Sequence, residues 1–462
     1  MTLKKGAIVL AAGDGKRMRS DKSKVCCEVL FKPMINWVLD ALKASGIEEE
    51  DICVVVSDKE NGVRELLPEN VKTAVQAEKL GTAHAVLMAK DFLKKEEEKG
   101  ISHVGVFCGD APFIDKADLE GSFNKLSETD FDCAVLTSIL PDGESYGRIK
   151  RQGDKVLSIV EKKNCTEEEL DIKEVNSGAY WFKTGFLLKN IEKVEKNPVS
   201  GEYYLTDMCE IANRCGNGCL GFACHDPSSV LGANTRAQLS LLNEIAREKV
   251  FSENYQNGVS IPIKDGIIIS PDAKIGENTE ILPNTIIKGA VIIGKGNSIG
   301  PNSCIDNSII GDNNIIEQTK MTDSSVGNEC KIGPFTQLRP NSHIGDRVKI
   351  GNFVEVKNST VGEKTSFAHL TYIGDSDFGS HINVGCGVVT VNYDGVKKYR
   401  TTVEDNAFIG CNSNLIAPVT VKKGAYVAAA STVTDDIEED ALAIGRVRLT
   451  VKPKGALKHR KK

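Results

Sequence analysis

Residues 269–305 read ISPDAKIGENTEILPNTIIKGAVIIGKGNSIGPNSCI, and this stretch decides the fold of the C-terminal half. Its isoleucines recur every six residues, at Ile269, Ile275, Ile281, Ile287, Ile293, Ile299 and Ile305. A period of six matches neither the 3.6-residue period of an α-helix nor the two-residue period of a half-buried strand. It matches a solenoid in which each short strand ends in a turn and one aliphatic side chain per hexad points inward. Gly, Asn, Asp and Pro follow the isoleucines and are the residues that tight turns favour.

The six-residue pattern continues almost to the end of the chain, with short slips. It is kept by Ile310, Ile316, Val326, Ile332, Leu338, Ile344, Ile350, Val356, Val361, Phe367, Ile373, Phe378, Val384, Val403, Ile409, Leu415, Val421, Val427 and Val433. The pattern breaks between Val384 and Val403, and such a break is typical of an extruded loop, which often carries function. The repeat predicts a parallel β-helix over residues 252–462.

The composition indicates an ordinary globular protein. The 462 residues suggest two or three domains, and 40% of them are hydrophobic, 26% are charged, and the net charge is −6. A mildly acidic balance favours neither nucleic acid nor an anionic membrane as a partner. The N-terminal apolar run is too short for a signal peptide, and no apolar run approaches the roughly 20 residues that span a bilayer. We therefore expect a cytoplasmic protein.

Fourteen cysteines are scattered through both halves of the chain. Without a secretory signal, reduced thiols in small apolar positions are the favoured interpretation. One group lies close together in sequence: Cys209, Cys215, Cys219, Cys224 and His225. Its spacing contains no C-x-x-C and matches no common zinc pattern, so we favour thiols over a structural metal here.

Residues 1–230 alternate strand-like and helix-like segments, which predicts an α/β domain with a mainly parallel sheet. Expected strands are Gly6–Leu10, Ile52–Val56, Val104–Phe107 and Phe131–Thr137, and expected helices are Met34–Ser45 and Thr82–Lys95. Ligands of such domains gather at the carboxyl ends of the strands. An uninterrupted helical pattern from Arg236 to Phe251 predicts a linker over residues 231–251.

The loop after the first strand reads Leu-Ala-Ala-Gly-Asp-Gly-Lys-Arg-Met, residues 10–18. Its glycines allow close approach of a phosphate, and Lys16, Arg17 and Lys24 add positive charge. A dinucleotide-binding fingerprint would need a third glycine where Met18 stands. A simple strand-to-helix turn stays open as the alternative.

An aspartate, Asp110, follows the strand Val104–Phe107 and precedes Pro112. A carboxylate at the carboxyl end of a strand is well placed to hold a metal ion on phosphates. A carboxylate that only caps the next turn is an equally good interpretation of this one position.

Taken together, these motifs resemble a known family. The loop at residues 10–18, Lys24, Gln76 with Gly81-Thr82, Gly109-Asp110, Tyr146–Ile149 and Asn176–Gly178 occur in the order seen in sugar-1-phosphate nucleotidylyltransferases. With Gly201–Asp207 and the hexads, the chain from Ala7 to Lys452 resembles the bacterial bifunctional enzymes that are both N-acetylglucosamine-1-phosphate uridylyltransferase and glucosamine-1-phosphate N-acetyltransferase. The resemblance implies a Rossmann-like N-terminal domain, a left-handed parallel β-helix of hexapeptide repeats, and a homotrimer.

For the N-terminal domain, the resemblance implies uridylyl transfer from UTP to N-acetylglucosamine 1-phosphate. Asp110 and Asn234 would bind Mg²⁺, and Arg17 and Lys24 would be catalytic, steadying the phosphates. The residues expected to hold the nucleotide sugar are Leu10, Ala11, Ala12, Gly13, Lys24, Gln76, Gly81, Thr82, Gly147, Glu161, Asn176 and Asn234.

Three residues depart from the family pattern in this half. Lys16 stands where Thr is usual and adds a charge near the triphosphate. Ser23 replaces a proline, which predicts a less rigid loop. Cys108 stands where an aromatic residue is common, which puts that contact in doubt.

In the β-helix, the segments His369–Asp375 and Val391–Gly395 flank or occupy the break in the repeat. A lone histidine in such a protein is more often a turn or surface residue than a base. Because these segments resemble the acetyltransferase half of the family, His369 is expected to take the proton from the glucosamine amine as it attacks acetyl-CoA. No metal is needed for this step.

The resemblance also implies the binding residues of the acetyltransferase half. Those for glucosamine 1-phosphate are Arg339, Lys357, Tyr372 and Asn383. Those for acetyl-CoA are Cys386, Asn392, Tyr393, Cys411, Ala429 and Arg446. Both cysteines stand where Ala or Ser is commoner; a small residue touching the coenzyme is favoured over an acyl-cysteine relay, because no base is evident beside either.

Two alternative functions remain open at this point. One is a nucleotidylyltransferase with a single activity, whose β-helix only regulates or oligomerises; the His369–Asp375 segment argues against it. The other is an assembly subunit with both sites degenerate, which the retained Arg17, Lys24, Asp110 and Asn234 disfavour.

Overall fold

The computed structural model describes residues 3–460 apart from 14, 16–17, 19–21, 60–61 and 144. It divides into two compact units, Met1–Ala246 and Arg247–Lys462. The division falls inside one helix, Arg236–Gln256. The boundaries at residues 230 and 251 stay a prediction.

The N-terminal unit is built on a mixed sheet. Its described strands are β1 Lys5–Leu10, β2 Glu28–Val29, β3 Lys32–Pro33, β4 Ile52–Ser57, β5 Lys72–Gln76, β6 His103–Cys108, β7 Cys133–Ile139, β8 Arg148–Gln152, β9 Lys155–Val160, β10 Glu174–Lys183 and β11 Cys219–Ala223. Nine of them form one sheet in the order β5-β4-β1-β6-β10-β7-β11-β9-β8, and β2 pairs with β3. The predicted α/β class is confirmed, but the expectation of a mainly parallel sheet is wrong, because β8, β9 and β10 pair antiparallel with their neighbours. The sheet is parallel from β5 to β6, whereas β10 runs antiparallel to both of its neighbours.

Helices cover this sheet. They are α1 Met34–Ala44, α2 Thr82–Met88, α3 Lys90–Glu98, α4 Lys116–Ser127, α5 Glu167–Leu170, α6 Thr184–Asn190, α7 Asp207–Cys215 and α8 Arg236–Gln256, with 3-10 turns at Lys24–Cys26, Glu49–Asp51, Arg64–Leu66, Lys162–Asn164, Ile191–Lys193 and Pro227–Val230. The single helix expected over Thr82–Lys95 is wrong, because Ala89, at φ −89° and ψ 14°, separates α2 from α3. Ala89 is buried in the core, so packing fixes this bend and helix periodicity does not reveal it. None of the described helices combines the length and apolar character that crossing a bilayer requires.

The C-terminal unit is a parallel β-helix of hexapeptide repeats, as predicted. One sheet, built of two ladders that meet in its two longest strands, holds β12 Ile268–Ile269, β14 Glu280–Ile281, β15 Ile286–Lys288, β17 Ser298–Ile299, β18 Cys304–Asp306, β20 Ile315–Ile316, β21 Thr319–Thr322, β23 Lys331–Ile332, β24 Thr336–Leu338, β26 Lys349–Lys357, β28 Ser366–Gly374, β30 Asn383–Val384, β31 Val389–Val391, β33 Phe408–Ile409, β34 Asn414–Ile416, β36 Tyr426–Val427, β37 Thr432–Val433 and β38 Leu442–Ala443. The second sheet holds β13 Lys274–Ile275, β16 Ile292–Ile293, β19 Ile309–Ile310, β22 Ser325–Val326, β25 Ser342–Ile344, β27 Ser359–Val361, β29 Ser376–Phe378, β32 Thr401–Val403 and β35 Val419–Val421.

The repeat residues fill the interior of the β-helix. Every one named above is buried except Ile275, which is half-buried in the first coil. Buried Met321 fills the position between Ile316 and Val326 where the aliphatic pattern lapsed. The break is shorter than expected, because buried Thr390 occupies the next inward position after Val384. A search for aliphatic residues at every sixth position overlooks a threonine, although a threonine can also fill an inward position.

Turn residues of the coils adopt the left-handed backbone conformation that the Asn-rich and Gly-rich corners predict. Asn278, Asn284 and Asn302 have φ of 58°, 59° and 55°. Asparagine tolerates this region better than most residues with a side chain. The corners therefore follow from local sequence.

Candidate active sites

A cleft of about 280 Å³ opens at one edge of the N-terminal sheet. Leu10, Gln76 and Cys108 are the last residues of β1, β5 and β6, and these parallel strands end at the same edge. The cleft is lined by Leu10, Ala12, Gly13, Lys24, Gln76, Lys79, Gly81, Thr82, Ala85, Cys108, Asp110, Glu202 and Tyr204. Segments far apart in sequence are thus brought to the position where α/β domains bind ligands.

Two side-chain oxygens converge on one cation in this cleft. The ammonium of Lys24 donates to a carboxylate oxygen of Asp110 and, over 3.1 Å, to the side-chain oxygen of Asn234. Lys24 begins a 3-10 turn, Asp110 follows β6, and Asn234 precedes α8. A cation therefore already lies between two oxygens of the kind that Mg²⁺ prefers.

The turn before α2 fits only a glycine. Gly81 has φ 108°, and a Cβ there would lie 2.4 Å from the carbonyl oxygen of Tyr203. The Tyr203 amide donates to Leu80 over 2.7 Å, and the Ala83 amide donates back to Tyr203 over 3.0 Å. The Thr82 hydroxyl accepts from the Leu205 amide at 2.9 Å. The segment around Tyr203 is therefore fixed against the turn.

Gln76 ties the end of β5 to the same turn. Its side-chain nitrogen donates to the Gly81 carbonyl over 3.1 Å and lies 3.0 Å from Nδ1 of His84. The side chain is buried, so these contacts fix its orientation. A fixed amide can present donors and acceptors to a nucleobase.

Three of the residues expected to hold the nucleotide sugar, Gly147, Glu161 and Asn176, lie close together outside the set that lines the cleft. The Asn176 amide donates to the Gly147 carbonyl over 2.9 Å. The Asn176 side-chain oxygen accepts from the Gly178 amide and the Tyr180 hydroxyl, both at 3.0 Å. A Cβ on Gly147 would lie 3.7 Å from a carboxylate oxygen of Glu161, whose pKa is raised by burial.

Two departures from the family pattern have structural counterparts. The Ser23 hydroxyl donates to the Gly13 carbonyl over 3.3 Å and so tethers the loop that the loss of proline was expected to loosen. The Cys108 thiol lies 3.6 Å from the Gly178 carbonyl, and burial raises its pKa to about 12, so it is neutral. Lys16 and Arg17 lie outside the described residues.

In the β-helix, the expected base and several coenzyme residues stand in one column across successive coils. Asn352 pairs with His369 directly. The flanking pairs Ser366–Asn383 and Tyr372–Val389 place His369 opposite Cys386. The next registers extend the column to Cys411 and Ala429. His369 thus stands one coil away from Cys386, a placement that only the strand register reveals.

Asn352 orients the imidazole of His369. Its side-chain oxygen lies 2.6 Å from Nδ1 of the histidine, which is exposed. With the proton on Nδ1, this contact is a hydrogen bond and Nε2 keeps its lone pair. Sequence reasoning missed Asn352, because only the strand register shows that it lies directly opposite His369.

Three cationic side chains lie close to one another on the β-helix. The guanidinium of Arg339 donates to a carboxylate oxygen of Glu355 over 2.8 Å. The backbone amide of Arg339 donates to the carbonyl of Val356, the residue before Lys357. The ammonium of Lys398 lowers the pKa of Lys357, with Arg339 adding to the effect. Cations held so close favour an anion between them. Sequence reasoning missed Lys398, which comes from the extruded loop.

A carboxylate anchors that loop. Asp375 is buried, and its two oxygens accept from the side-chain amides of Asn358 and Asn392. Burial alone would raise the pKa of Asp375, but these donors and the nearby lysines lower it on balance. Beyond this anchor, Tyr393 bridges to Lys398, and its hydroxyl donates to the Gly395 carbonyl over 2.6 Å.

Tyr372, Asn383 and Arg446 are the remaining residues that the resemblance implied for the acetyltransferase half. Tyr372 lies opposite Glu355 and Val389, and exposed Asn383 lies opposite Ser366 and Phe408. The guanidinium of Arg446 donates to the carbonyl of Ala429, at the top of the column. Asn383 and Tyr372 thus lie in the two ladders on either side of the corner that carries His369.

Both halves of the chain match known protein families. Residues 6–224 match the family described as Nucleotidyl transferase, and residues 272–307 and 323–358 match Bacterial transferase hexapeptide (six repeats). The protein named Bifunctional protein GlmU from Acetivibrio thermocellus is 42% identical over 453 residues, which cover 98% of this chain and 97% of that protein. The chain belongs to the bifunctional GlmU family. Proteins of the same name from Bacillus velezensis and Bacillus subtilis are 44% and 43% identical over 447 and 446 residues, covering 96% of each chain.

Membership of the GlmU family settles the general activity. The chain is a bifunctional transferase with a uridylyltransferase half and an N-acetyltransferase half, as the motifs predicted. The interpretation as a single-activity enzyme with a regulatory β-helix does not fit this family. The roles of individual residues rest on the geometry above.

Proposed function

We propose that the cleft at the edge of the N-terminal sheet joins UTP and N-acetylglucosamine 1-phosphate into UDP-N-acetylglucosamine and pyrophosphate. The convergence of Lys24, Asp110 and Asn234 on one point, beyond the end of β6, carries this proposal. The sugar phosphate attacks the α-phosphorus in line, and the main task of the protein is to position the groups and offset negative charge. Lys24 steadies the phosphates, together with Arg17, and the fixed turn at Gly81 and Gln76 holds the base.

Mg²⁺ fits this site. Asp110 and Asn234 direct two oxygens at one point, where the Lys24 ammonium now supplies the positive charge. These two residues would hold the ion, which supplies charge neutralisation on the phosphates when bound. Lys24 would then turn its ammonium from Asp110 to a phosphate.

For the second half, we propose that His369 accepts a proton from the 2-amino group of glucosamine 1-phosphate as the amine attacks the acetyl-CoA thioester. Asn352 holds the Nδ1 proton, so Nε2 is the basic nitrogen. Imidazole is the side chain that most often serves as a general base in enzymes. The attack forms the amide bond and releases the coenzyme thiol, which takes up a proton.

The cations of Arg339, Lys357 and Lys398 would bind the phosphate of that substrate, with Tyr372 and Asn383 along the sugar. Acetyl-CoA would lie along the column from Cys386 through Cys411 to Ala429, where Arg446 meets its phosphates. Asn392 and Tyr393 complete the site from the extruded loop. Both cysteines serve as small residues against the coenzyme, and transfer from it is direct.

The product of the second half is the substrate of the first, so acetylation precedes uridylylation. UDP-N-acetylglucosamine then supplies peptidoglycan and lipopolysaccharide precursors. We also propose a homotrimer, in keeping with the hexapeptide repeats, and a cytoplasmic location. The location is supported by the fourteen cysteines, none of which forms a disulfide among the residues that the structure describes.

Chelation separates the two halves of this proposal. With EDTA in excess, we expect uridylyl transfer to fall to background and to return when Mg²⁺ is added. Acetyl transfer, measured as free coenzyme thiol, should keep its rate in the same samples. Uridylyl transfer that persists without divalent cations would contradict the role of Asp110 and Asn234.

A further inference from the structure

Three buried thiols meet in the core of the N-terminal unit, apart from the cleft. They belong to Cys133 at the start of β7, Cys209 on α7, and Cys219 at the start of β11. Cys133 and Cys219 face each other in the parallel ladder, and α7 packs its Cys209 against them. The sequence group contained only two of these residues, because Cys133 lies far away along the chain.

We propose that Cys133, Cys209 and Cys219 form a binding site for a thiophilic divalent cation of the Zn²⁺ and Cd²⁺ type. The exposed fractions of the three residues are 1%, 0% and 0%. The proposed site therefore lies in the core and is distinct from any site that binds an ion at the surface. Among the described residues, this is the one group of three potential ligands whose donor atoms lie close enough to share an ion.

The spacing of the sulfurs fits one shared ion. The sulfurs of Cys209 and Cys219 are 3.2 Å apart, and all three lie within 4.8 Å of one another. Sulfurs bound about 2.3 Å from one Zn²⁺ stand roughly 3.8 Å apart. This sulfur–sulfur separation lies between 3.2 Å and 4.8 Å. Shifts of the sulfurs by less than about 1 Å would therefore complete the site.

The chemistry of the donors selects the ion. Three sulfurs with no carboxylate or imidazole among them favour a soft cation over Mg²⁺ or Ca²⁺. The Gly218 and Leu220 carbonyls lie 4.0 Å from Cys133 Sγ and 3.8 Å from Cys219 Sγ, and either could approach as a fourth donor. The Cys215 thiol is exposed, and His225 is bound to Asp118 over 2.6 Å, so these two members of the sequence group play no part.

Binding must displace protons. Burial raises the pKa of Cys133 and Cys219 well above the ordinary value, so both thiols are neutral without an ion. The balanced step is M²⁺ + 3 RSH → [M(SR)₃]⁻ + 3 H⁺, in which three S–H bonds break and three M–S bonds form. The charge of +2 is the same on both sides, and affinity rises with pH.

An ion here would tie α7 to two strands of the sheet. The segment that enters α7 contains Tyr203 and Leu205, which bond the turn at Gly81 and Thr82 in the cleft. Cys209 lies four residues beyond Leu205. The filled site would therefore stabilise the helix that follows one wall of the uridylyltransferase cleft.

The test uses the full chain, reduced with a phosphine so that no added thiol competes, and titrated with CdCl₂ or ZnCl₂ alone. We expect one Cd²⁺ per chain with a thiolate-to-metal absorption band, release of about three protons per ion, and a Tm higher by roughly 5–10 °C at 100 times Kd. Cys209→Ala and, separately, Cys219→Ala should weaken this binding at least about 100-fold.

Two controls keep the test decisive. Cys215→Ala removes an exposed thiol from the same helix and should leave the band, the proton release and the Tm shift unchanged. Uridylyl transfer retained within about twofold shows that each variant is folded, and the two alanine variants provide independent tests. The proposal would be overturned if the wild-type chain showed no thiolate-to-metal band, or if Cys209→Ala and Cys219→Ala both kept it undiminished. The cluster would then be three buried thiols that bind no metal ion.

Discussion

His369 shows how one residue takes its role from its neighbours in space. A histidine on an exposed corner would ordinarily be a surface group. Here the Asn352 oxygen, 2.6 Å from Nδ1, fixes the tautomer of the imidazole. The sequence pointed to His369 through its resemblance to a family, whereas Asn352 and Lys398 needed the register of the coils.

Asn352→Ala should lower kcat for acetyl transfer by about 10- to 100-fold, less than the loss of the base itself, because the imidazole loses its fixed tautomer. Asn352→Asp places a carboxylate beside Nδ1 and should shift the acidic limb of the kcat/KM profile to higher pH. The measurement is the pH dependence of coenzyme release. Unchanged profiles in both variants would remove Asn352 from the mechanism.

At Gly81, a methyl group should disturb the uridylyltransferase half. Gly81→Ala places a Cβ 2.4 Å from the Tyr203 carbonyl at φ 108°, so the turn must move and KM for UTP should rise several-fold. Gly100→Ala is the matched control, since Gly100 has φ 80° but no atom within 4 Å of a Cβ. Both variants carry the backbone strain, of about 1 kcal/mol or more, and only the first adds a clash. Equal KM values would argue against a role of the turn in binding.

Among the elements, the short strands of the β-helix were the most predictable. Each coil repeats a local rule, one inward aliphatic and one turn, so the pattern could be read without tertiary knowledge. The exceptions are informative: buried Thr390 and Met321 kept the period without matching the aliphatic pattern. The bend at Ala89 and the antiparallel course of β10 depend on packing between elements, which periodicity does not encode.

The first residue of α7 makes the N-terminal unit sensitive to pH. Burial, with help from Glu210 and Glu161, raises the pKa of Asp207 from 3.8 to about 6. A carboxyl group whose pKa rises on folding stabilises the folded state while protonated. That contribution is complete below pH 3.8 and is lost as the pH rises through about 6.

Asp207→Asn should therefore raise the denaturation midpoint of the N-terminal unit above pH 6 and change it little near pH 4. Urea titrations at the two pH values measure the difference. Glu210→Gln, at an exposed neighbouring position, is the control and should show a smaller effect. A midpoint difference that does not vary with pH would contradict the assignment.

At the scale of the whole molecule, the chain combines two units, each with its own sheet or coil and its own chemistry. Both units and both activities could be predicted from the sequence, because the motifs lie in local segments in a fixed order. The meeting of Lys24 with Asp110 and Asn234 could be expected only through a family resemblance, since 86 and 210 positions separate these residues. The three-thiol cluster was out of reach for the same reason.

The central claim is that one chain performs two reactions at two separate sites. The most direct measurement supplies glucosamine 1-phosphate, acetyl-CoA, UTP and Mg²⁺ to the wild type, Asp110→Asn and His369→Ala, and follows all sugar species by mass spectrometry. Asp110→Asn should accumulate N-acetylglucosamine 1-phosphate, with UDP-N-acetylglucosamine reduced at least about 100-fold. His369→Ala should leave glucosamine 1-phosphate unconsumed but convert added N-acetylglucosamine 1-phosphate at the wild-type rate. Loss of both activities in either folded variant, or acetylation that persists in His369→Ala, would contradict the account.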